Sequence, residues 1–219
     1  MKRLFFIISA IFFAISLQAQ TGGNWVEDKQ AKEIMSKLAK KLANVTAISA
    51  DITMITENKT EKTKNEQKIT ALVSNTKYRL LFNSQAVYCD GKSVWHYNKA
   101  ANEVTLTVAD STEMQQINLP KIISEWEKNY RAKLIREEEQ SGGIVQILDL
   151  TPKKRQDYHK IRLILNKNKQ EIQQMQFHYF EGEIVSYLFS SYKTNPKITA
   201  SDFVFDASAY PSAEIIDLR

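Results

Sequence analysis

Hydrophobic and polar positions change period several times along the chain, and each change marks an element. From Asp28 to Ala43 apolar residues recur at Ala31, Ile34, Met35, Leu38, Ala39 and Leu42, while Lys29, Lys32, Lys37, Lys40 and Lys41 take the other face. This i, i+3, i+4, i+7 spacing predicts an amphipathic helix whose apolar side must be covered. From Thr46 the period falls to two, with Ile48, Ala50, Ile52 and Met54 alternating with Ser49, Asp51 and Thr53. That is a half-buried strand, and the helix is expected to pack on its sheet.

The run from Glu57 to Lys68 is charged and free of Gly and Pro, and it reads as an exposed hairpin tip. Strands are expected at 67–74 and 77–83, the second with Tyr78, Leu80 and Phe82 on one face. Val87 to Val108 then reads as a β-meander. Two apolar runs flank Asp90-Gly91, a dipeptide that tolerates positive φ at both centres of a tight turn, and Lys99-Ala100-Ala101-Asn102 leads into a third alternating run. Between Ser111 and Tyr130 the alternation breaks. Pro120 suits the first turn of a helix, and Ile122, Ile123 and Trp126 follow at helical spacing, so a short helical insert interrupts the sheet. With Ile117 and Leu119 ahead of the proline, the insert reads either as a cap over a concave sheet or as ordinary core packing.

Strand patterning resumes at 131–138, 144–150, 158–166, 170–179 and 184–193, with turns at Asn166-Lys167-Asn168-Lys169 and Glu181-Gly182-Glu183. Phe203-Val204-Phe205 is the last alternation and reads as a closing strand. The sum is an α+β fold: a curved antiparallel sheet or incomplete β-barrel of about 11 strands, with an N-terminal helix and a helical flap.

Composition narrows the classes. At 219 residues and 43% hydrophobic content the chain suits one domain, 20–219, behind a processing segment, 1–19. Lys2 and Arg3 precede an apolar run to Leu17 that is short for a membrane span, and Leu17-Gln18-Ala19 places a small residue at the expected cut; a retained signal anchor is the alternative. Cutting after Ala19 removes Lys2 and Arg3 and lowers the formal net charge from +5 to +3. That excess is too small for a nucleic-acid partner, and Lys153-Lys154-Arg155 reads as a solvated turn. Cys89 is the single cysteine and is expected to be buried in its strand, with no internal disulfide.

Catalytic and metal chemistry find no constellation. Gly91-Lys92-Ser93 imitates the end of a phosphate-binding loop, but Ala86 stands where the earlier glycine belongs. His96, His159 and His178 lack a histidine at i+4 and a second cysteine. Ser190 and Ser191 lack the Gly-x-Ser-x-Gly elbow. No enzyme activity, cofactor or metal is expected.

The turn Asp90-Gly91-Lys92-Ser93, followed by Val94-Trp95-His96-Tyr97, resembles the centre of periplasmic outer-membrane lipoprotein carriers of the LolA type. Leu148-Asp149-Leu150-Thr151-Pro152-Lys153 resembles that family's Leu-x-Leu-x-Pro strand end, and Ile198 to Phe205 its closing segment. The resemblance runs from about Glu27 to the C-terminus. It implies a periplasmic monomer whose hydrophobic cavity takes the acyl chains of lipoproteins from an inner-membrane ABC-type releasing complex and hands them to an outer-membrane receptor or membrane surface. The cavity is expected to be lined by Ile52, Met54, Tyr78, Leu80 and Phe82 from the sheet, Leu38 from the helix, and Ile117, Leu119, Ile122 and Ile123 from the flap. The family's Arg-Pro before the aromatic strand is replaced here by Ser74-Asn75-Thr76-Lys77, so the usual polar latch on the flap is missing. A lipid-binding sensor module of the same fold, or a hydrolase or isomerase with its site in the same cavity, are the rival readings.

Overall fold

The computed structural model describes residues 26–110, 119–140 and 142–219. The expected leader with its cut after Ala19, and Ile117 of the flap, lie outside the described residues. Helix α1 (Lys29–Leu42) is followed by β1 (Ile48–Asn58), β2 (Thr63–Ser74), β3 (Lys77–Leu81), β4 (Gln85–Cys89), β5 (Ser93–Asn98) and β6 (Glu103–Val108). Two short helices, α2 (Leu119–Ser124) and α3 (Trp126–Asn129), precede β7 (Tyr130–Gln140), β8 (Gly143–Pro152), β9 (Tyr158–Asn166), β10 (Glu171–Tyr179), β11 (Glu183–Thr194) and β12 (Glu214–Asp217).

The strands form one sheet in the order β12-β6-β5-β4-β3-β2-β1-β11-β10-β9-β8-β7. It is open and curved, with β12 at one end and β7 at the other. Two antiparallel meanders, β1 to β6 and β7 to β11, meet where β1 pairs with β11. A register shift at Asp51/Ile52 marks this joint. The Asp51 carboxylate accepts hydrogen bonds from Thr70 Oγ1 at 2.9 Å and Ser191 Oγ at 2.8 Å, tying β2 and β11 to β1.

Asp28 starts α1 with an extended backbone, and its Oδ1 accepts from Ala31 N at 3.0 Å. Such a cap satisfies one of the amide donors that a helix start leaves unpaired. Its Oδ2 accepts from Leu134 N at 2.9 Å, where the β7–β8 register shifts. One carboxylate therefore caps the helix and fixes it to the edge strand. The buried face Ala31, Met35, Leu38 and Leu42 packs with Leu148, Leu150, Ile161 and Leu163 of the sheet and with Ile122, Ile123 and Trp126 of the insert. A second cluster covers the concave side of the first meander through Ile69, Ala71, Tyr78, Leu80, Val87 and Cys89. On the convex side Phe205 packs with Ala86, Tyr97 and Val104.

Three local expectations change. The polar run after Glu57 is mostly strand: the turn is only Lys59 to Lys62, with Asn58 Oδ1 accepting from Thr60 N and Glu61 N, and Lys62 at φ 56°. Polar residues serve here because the hairpin extends past the core, and the ladder with β1, out to Asn58↔Thr63, holds it. At Asp90-Gly91 only Gly91 takes positive φ, at 92°; Asp90 instead accepts from Lys92 N and Ser93 N through Oδ1, both at 2.8 Å. Phe203-Val204-Phe205 is not a strand. Ala200–Phe203 is a 3-10 turn started by a capping box between Thr199 and Asp202, and the closing strand is β12, parallel to β6.

Candidate ligand cavity

Helix α1 packs over β7 to β10 and not over the concave face of β1 to β3. A cavity of about 140 Å³ occupies that place. Its floor comes from Ile48, Ala50, Ile52 and Met54 on β1 and from Ile69, Ala71 and Val73 on β2. Leu80 and Phe82 close one side, Met175, Tyr187 and Phe189 the other, and Leu119 with Pro120 at the start of α2 form the lid.

The floor is apolar because the residues that alternate inward on a pleated strand share one face. Cross-strand pairing then sets the walls: Ile52 stands opposite Phe189 and Met54 opposite Tyr187, while on the other side Ile52 faces Ile69. Tyr187 is the one ionisable side chain in the lining, and burial pushes its phenol up to about 12. It stays neutral at any physiological pH, so the cavity carries no charge. Such a surface binds apolar groups and offers no general acid, base or metal ligand. Among the described residues no cluster of three or more His, Cys, Asp or Glu side chains could hold a metal ion.

Ile52, Met54, Leu80, Phe82 and Leu119 of the expected set meet at this cavity. Four others stand elsewhere. Tyr78 shares a buried cluster with Ile69, Ala71 and Leu80 of the cavity wall but does not line the cavity itself. Leu38 and Ile123 are 2% and 0% exposed in the core beneath α1, because the α1 face turns toward β7 to β10. Ile122, two residues past Pro120 of the lid, borders a different cavity. Sequence reasoning missed the other nine lining residues, Ile48, Ala50, Ile69, Ala71, Val73, Pro120, Met175, Tyr187 and Phe189. Met175, Tyr187 and Phe189 come from β10 and β11, and the side they share with Ile52 is set only by the pairing of β1 with β11.

Cys89 is fully buried, its Sγ accepting from Gly91 N at 3.3 Å and donating to Thr76 O at 3.6 Å. Burial pushes its thiol up, so it is an inert packing residue. Asn75 takes φ 51° in the β2–β3 turn and lines, with Pro120, Lys121 and Ser124, a second opening of about 230 Å³ beside the lid.

The family model for the outer membrane lipoprotein carrier protein LolA matches residues 79–206, more than half of the chain. A comparison with curated protein sequences finds no match. In fold the chain is similar to an uncharacterized conserved protein from Thermus thermophilus, with a TM-score of 0.53 at 14% identity over 86% of this chain and 99% of that one. It also matches a LolA superfamily protein from Nitrosomonas europaea (TM-score 0.40, 13% identity, 80% and 98% covered). The Mycobacterium tuberculosis lipoprotein LppX gives a TM-score of 0.46 at 8% identity, with 79% and 100% covered.

Proposed function

The chain belongs to the outer membrane lipoprotein carrier family, and from that premise we propose that it binds the acyl chains of lipoproteins and moves them from the inner to the outer membrane. The observation that carries this reading is the uncharged cavity under Leu119 and Pro120, set against the concave face of β1 to β3. A cavity of its size holds a benzene-sized apolar group. In the closed state it takes only a few carbons of a chain, so a whole acyl chain enters as the lid moves away. Each buried methylene then contributes about 0.8 kcal/mol, and several carbons together offset much of the cost of taking a lipid anchor through water.

In this reading the protein works in the periplasm as a monomer, after export and removal of residues 1–19. It receives cargo from an inner-membrane ABC-type releasing complex and delivers it to an outer-membrane receptor. It binds without chemical turnover, and nucleic acid is no partner. No helix among the described residues is long and apolar enough to cross a membrane.

Mass spectrometry of what the purified protein retains, after expression in a host that makes lipoproteins, tests the reading. Co-purified lipoproteins or acyl chains, displaced intact by a fluorescent acyl probe, are expected. Hydrolysed or rearranged lipid would instead point to an enzyme, and an empty protein that takes up no probe would overturn the assignment.

A further inference from the structure

A second cavity, of about 790 Å³, lies on the far side of α2 and shares no lining residue with the first. Its rim carries Lys121 of α2, Lys128 of α3, and Lys153 and Lys154 from the loop after β8. Among the described residues Lys128, Lys153 and Lys154 form no ion pair. Lys153 is held in place, its Nζ donating to the Glu127 carbonyl at 2.5 Å and its backbone N to Asn129 O at 2.8 Å. Glu125 and Asp157 also border the cavity, so the three ammonium groups without an ion pair outnumber the carboxylates.

The floor supplies an independent sign. Tyr130 and Tyr158, 8% and 9% exposed, touch hydroxyl to hydroxyl at 2.7 Å. Two hydroxyls bring two protons, and the bond between them uses one. The other has no acceptor among the described residues, although burial makes an unused donor costly. Burial also pushes both phenols up, so both protons stay in place. Ile122 and Phe177 complete the floor with apolar surface.

We propose that this cavity binds the phosphate of an anionic phospholipid headgroup. The lysine ammoniums hold the phosphate oxygens, the spare tyrosine proton is donated to one of them, and the first carbons of the lipid lie on Ile122 and Phe177. A phosphate fits this donor set better than a carboxylate because it offers more acceptor oxygens to converging cations. The site does not depend on the acyl cavity being a lipoprotein site.

The test is titration of the exported protein with dihexanoyl phosphatidylglycerol below its micelle concentration, alongside dihexanoyl phosphatidylcholine and inorganic phosphate. The glycerol headgroup should bind at least tenfold tighter than the choline headgroup. Lys121→Gln/Lys128→Gln/Lys154→Gln should weaken it by tenfold or more, and Tyr130→Phe/Tyr158→Phe by several-fold. The tyrosine pair is a fair probe because removing both partners of a buried hydrogen bond at constant shape is nearly neutral for stability. Lys59→Gln/Lys64→Gln, on the distant hairpin, should change nothing, and Phe82→Asp in the acyl cavity should leave this binding intact. Parent affinity in the lysine variant, or equal affinity for the two headgroups, would overturn the proposal. Loss of binding in Phe82→Asp with the lysine and tyrosine variants unaffected would place the lipid in the acyl cavity instead. Displacement by inorganic phosphate at equal concentration would assign the source to free phosphate and remove the lipid from the assignment.

Discussion

A Cβ atom on Gly91 would stand 2.9 Å from Oγ1 of Thr76. The β4–β5 turn thus closes against the β2–β3 turn, and Gly91 also takes φ 92°, which side-chain-bearing residues rarely adopt. Gly91→Val should lower stability by about 1–3 kcal/mol in urea unfolding, from backbone strain and this contact together. Gly91→Ala should lose less, and adding Thr76→Ala should recover the contact part while leaving the strain. Parent-like unfolding of Gly91→Val would show that the turn needs neither.

Charge in the acyl cavity should exclude an acyl chain. Phe82→Asp and Phe189→Asp, on opposite walls, should abolish uptake of a fluorescent acyl probe, because an unpaired carboxylate there must be desolvated. Lys62→Asp, in the β1–β2 turn where φ is 56°, should leave uptake unchanged, since Asp tolerates that backbone. Similar uptake by all three proteins would move the ligand elsewhere.

Lid and core should separate kinetically. Leu119 and Pro120 face the cavity, while Ile123 is fully buried beneath α1. Leu119→Ala should speed release of a bound acyl probe several-fold, with a smaller change in its uptake rate. Ile123→Ala should cost about 2–5 kcal/mol of stability as a buried large-to-small change. Stopped-flow release and thermal unfolding, measured on both variants, give the comparison.

Asn75 tests whether a polar group at the lid matters where the family's arginine is expected. Leucine is a poor probe there, because at φ 51° it costs roughly 1–2 kcal/mol of backbone strain. Asn75→Gly removes the side chain without that strain. It should leave stability within about 0.5 kcal/mol and cargo release unchanged in a transfer assay with receptor-bearing vesicles. Trapped or accelerated cargo in Asn75→Gly would mean that the amide holds the lid.

Acid should weaken the fold through His178. Burial first, then the neighbouring Lys160 and Arg162, push its imidazole down to about 4, and its Nε2 is buried without a hydrogen-bond partner. In the unfolded chain it returns to about 6.5. Between these values the unfolded state binds the extra proton, so stability rises with pH from about 4 to 6.5 and is fully present above that. A shift of that size corresponds to roughly 3 kcal/mol, which solvent screening of the half-buried ring lowers to the order of 2 kcal/mol, and His178→Phe should flatten this gain in unfolding curves taken across the window. Asp149 acts lower down. Burial raises its carboxyl, but hydrogen bonds from Arg162 at 2.7 and 2.9 Å and from Lys160 at 3.1 Å outweigh that and hold it below the usual range. Its contribution is lost only as pH falls through that depressed value.

The elements most legible in the sequence are those with one wet and one dry face. The apolar stripe of α1 and the alternation Ile48, Ala50, Ile52, Met54 state their own burial, and the meander from Val87 to Val108 is punctuated by its turns. What a buried face meets is less local. Leu38 and Ile123 sit at correct helical spacing, yet the spacing is the same whether a helix covers a cavity or a core. Phe203 and Phe205 alternate as a strand would, but the Thr199-x-x-Asp202 capping box starts a 3-10 turn that takes in Phe203. The four-residue β12 carries only Ile215 and Ile216 as apolar positions, too short a run to show a period.

The pairing of Ile52 with Phe189 and Met54 with Tyr187 brings together residues more than 130 positions apart. Each meander can form from neighbouring hairpins, but their junction closes a very long loop, which makes it a slow contact. The cavity under Leu119 and Pro120 straddles that junction. A chain with both halves folded but not yet joined has no binding site, and it exposes the apolar faces of β1 and β11 to water. The proposed competence to hold an acyl chain is therefore the last property acquired in folding, and refolding followed by probe uptake should lag refolding followed by the local signal of the meanders.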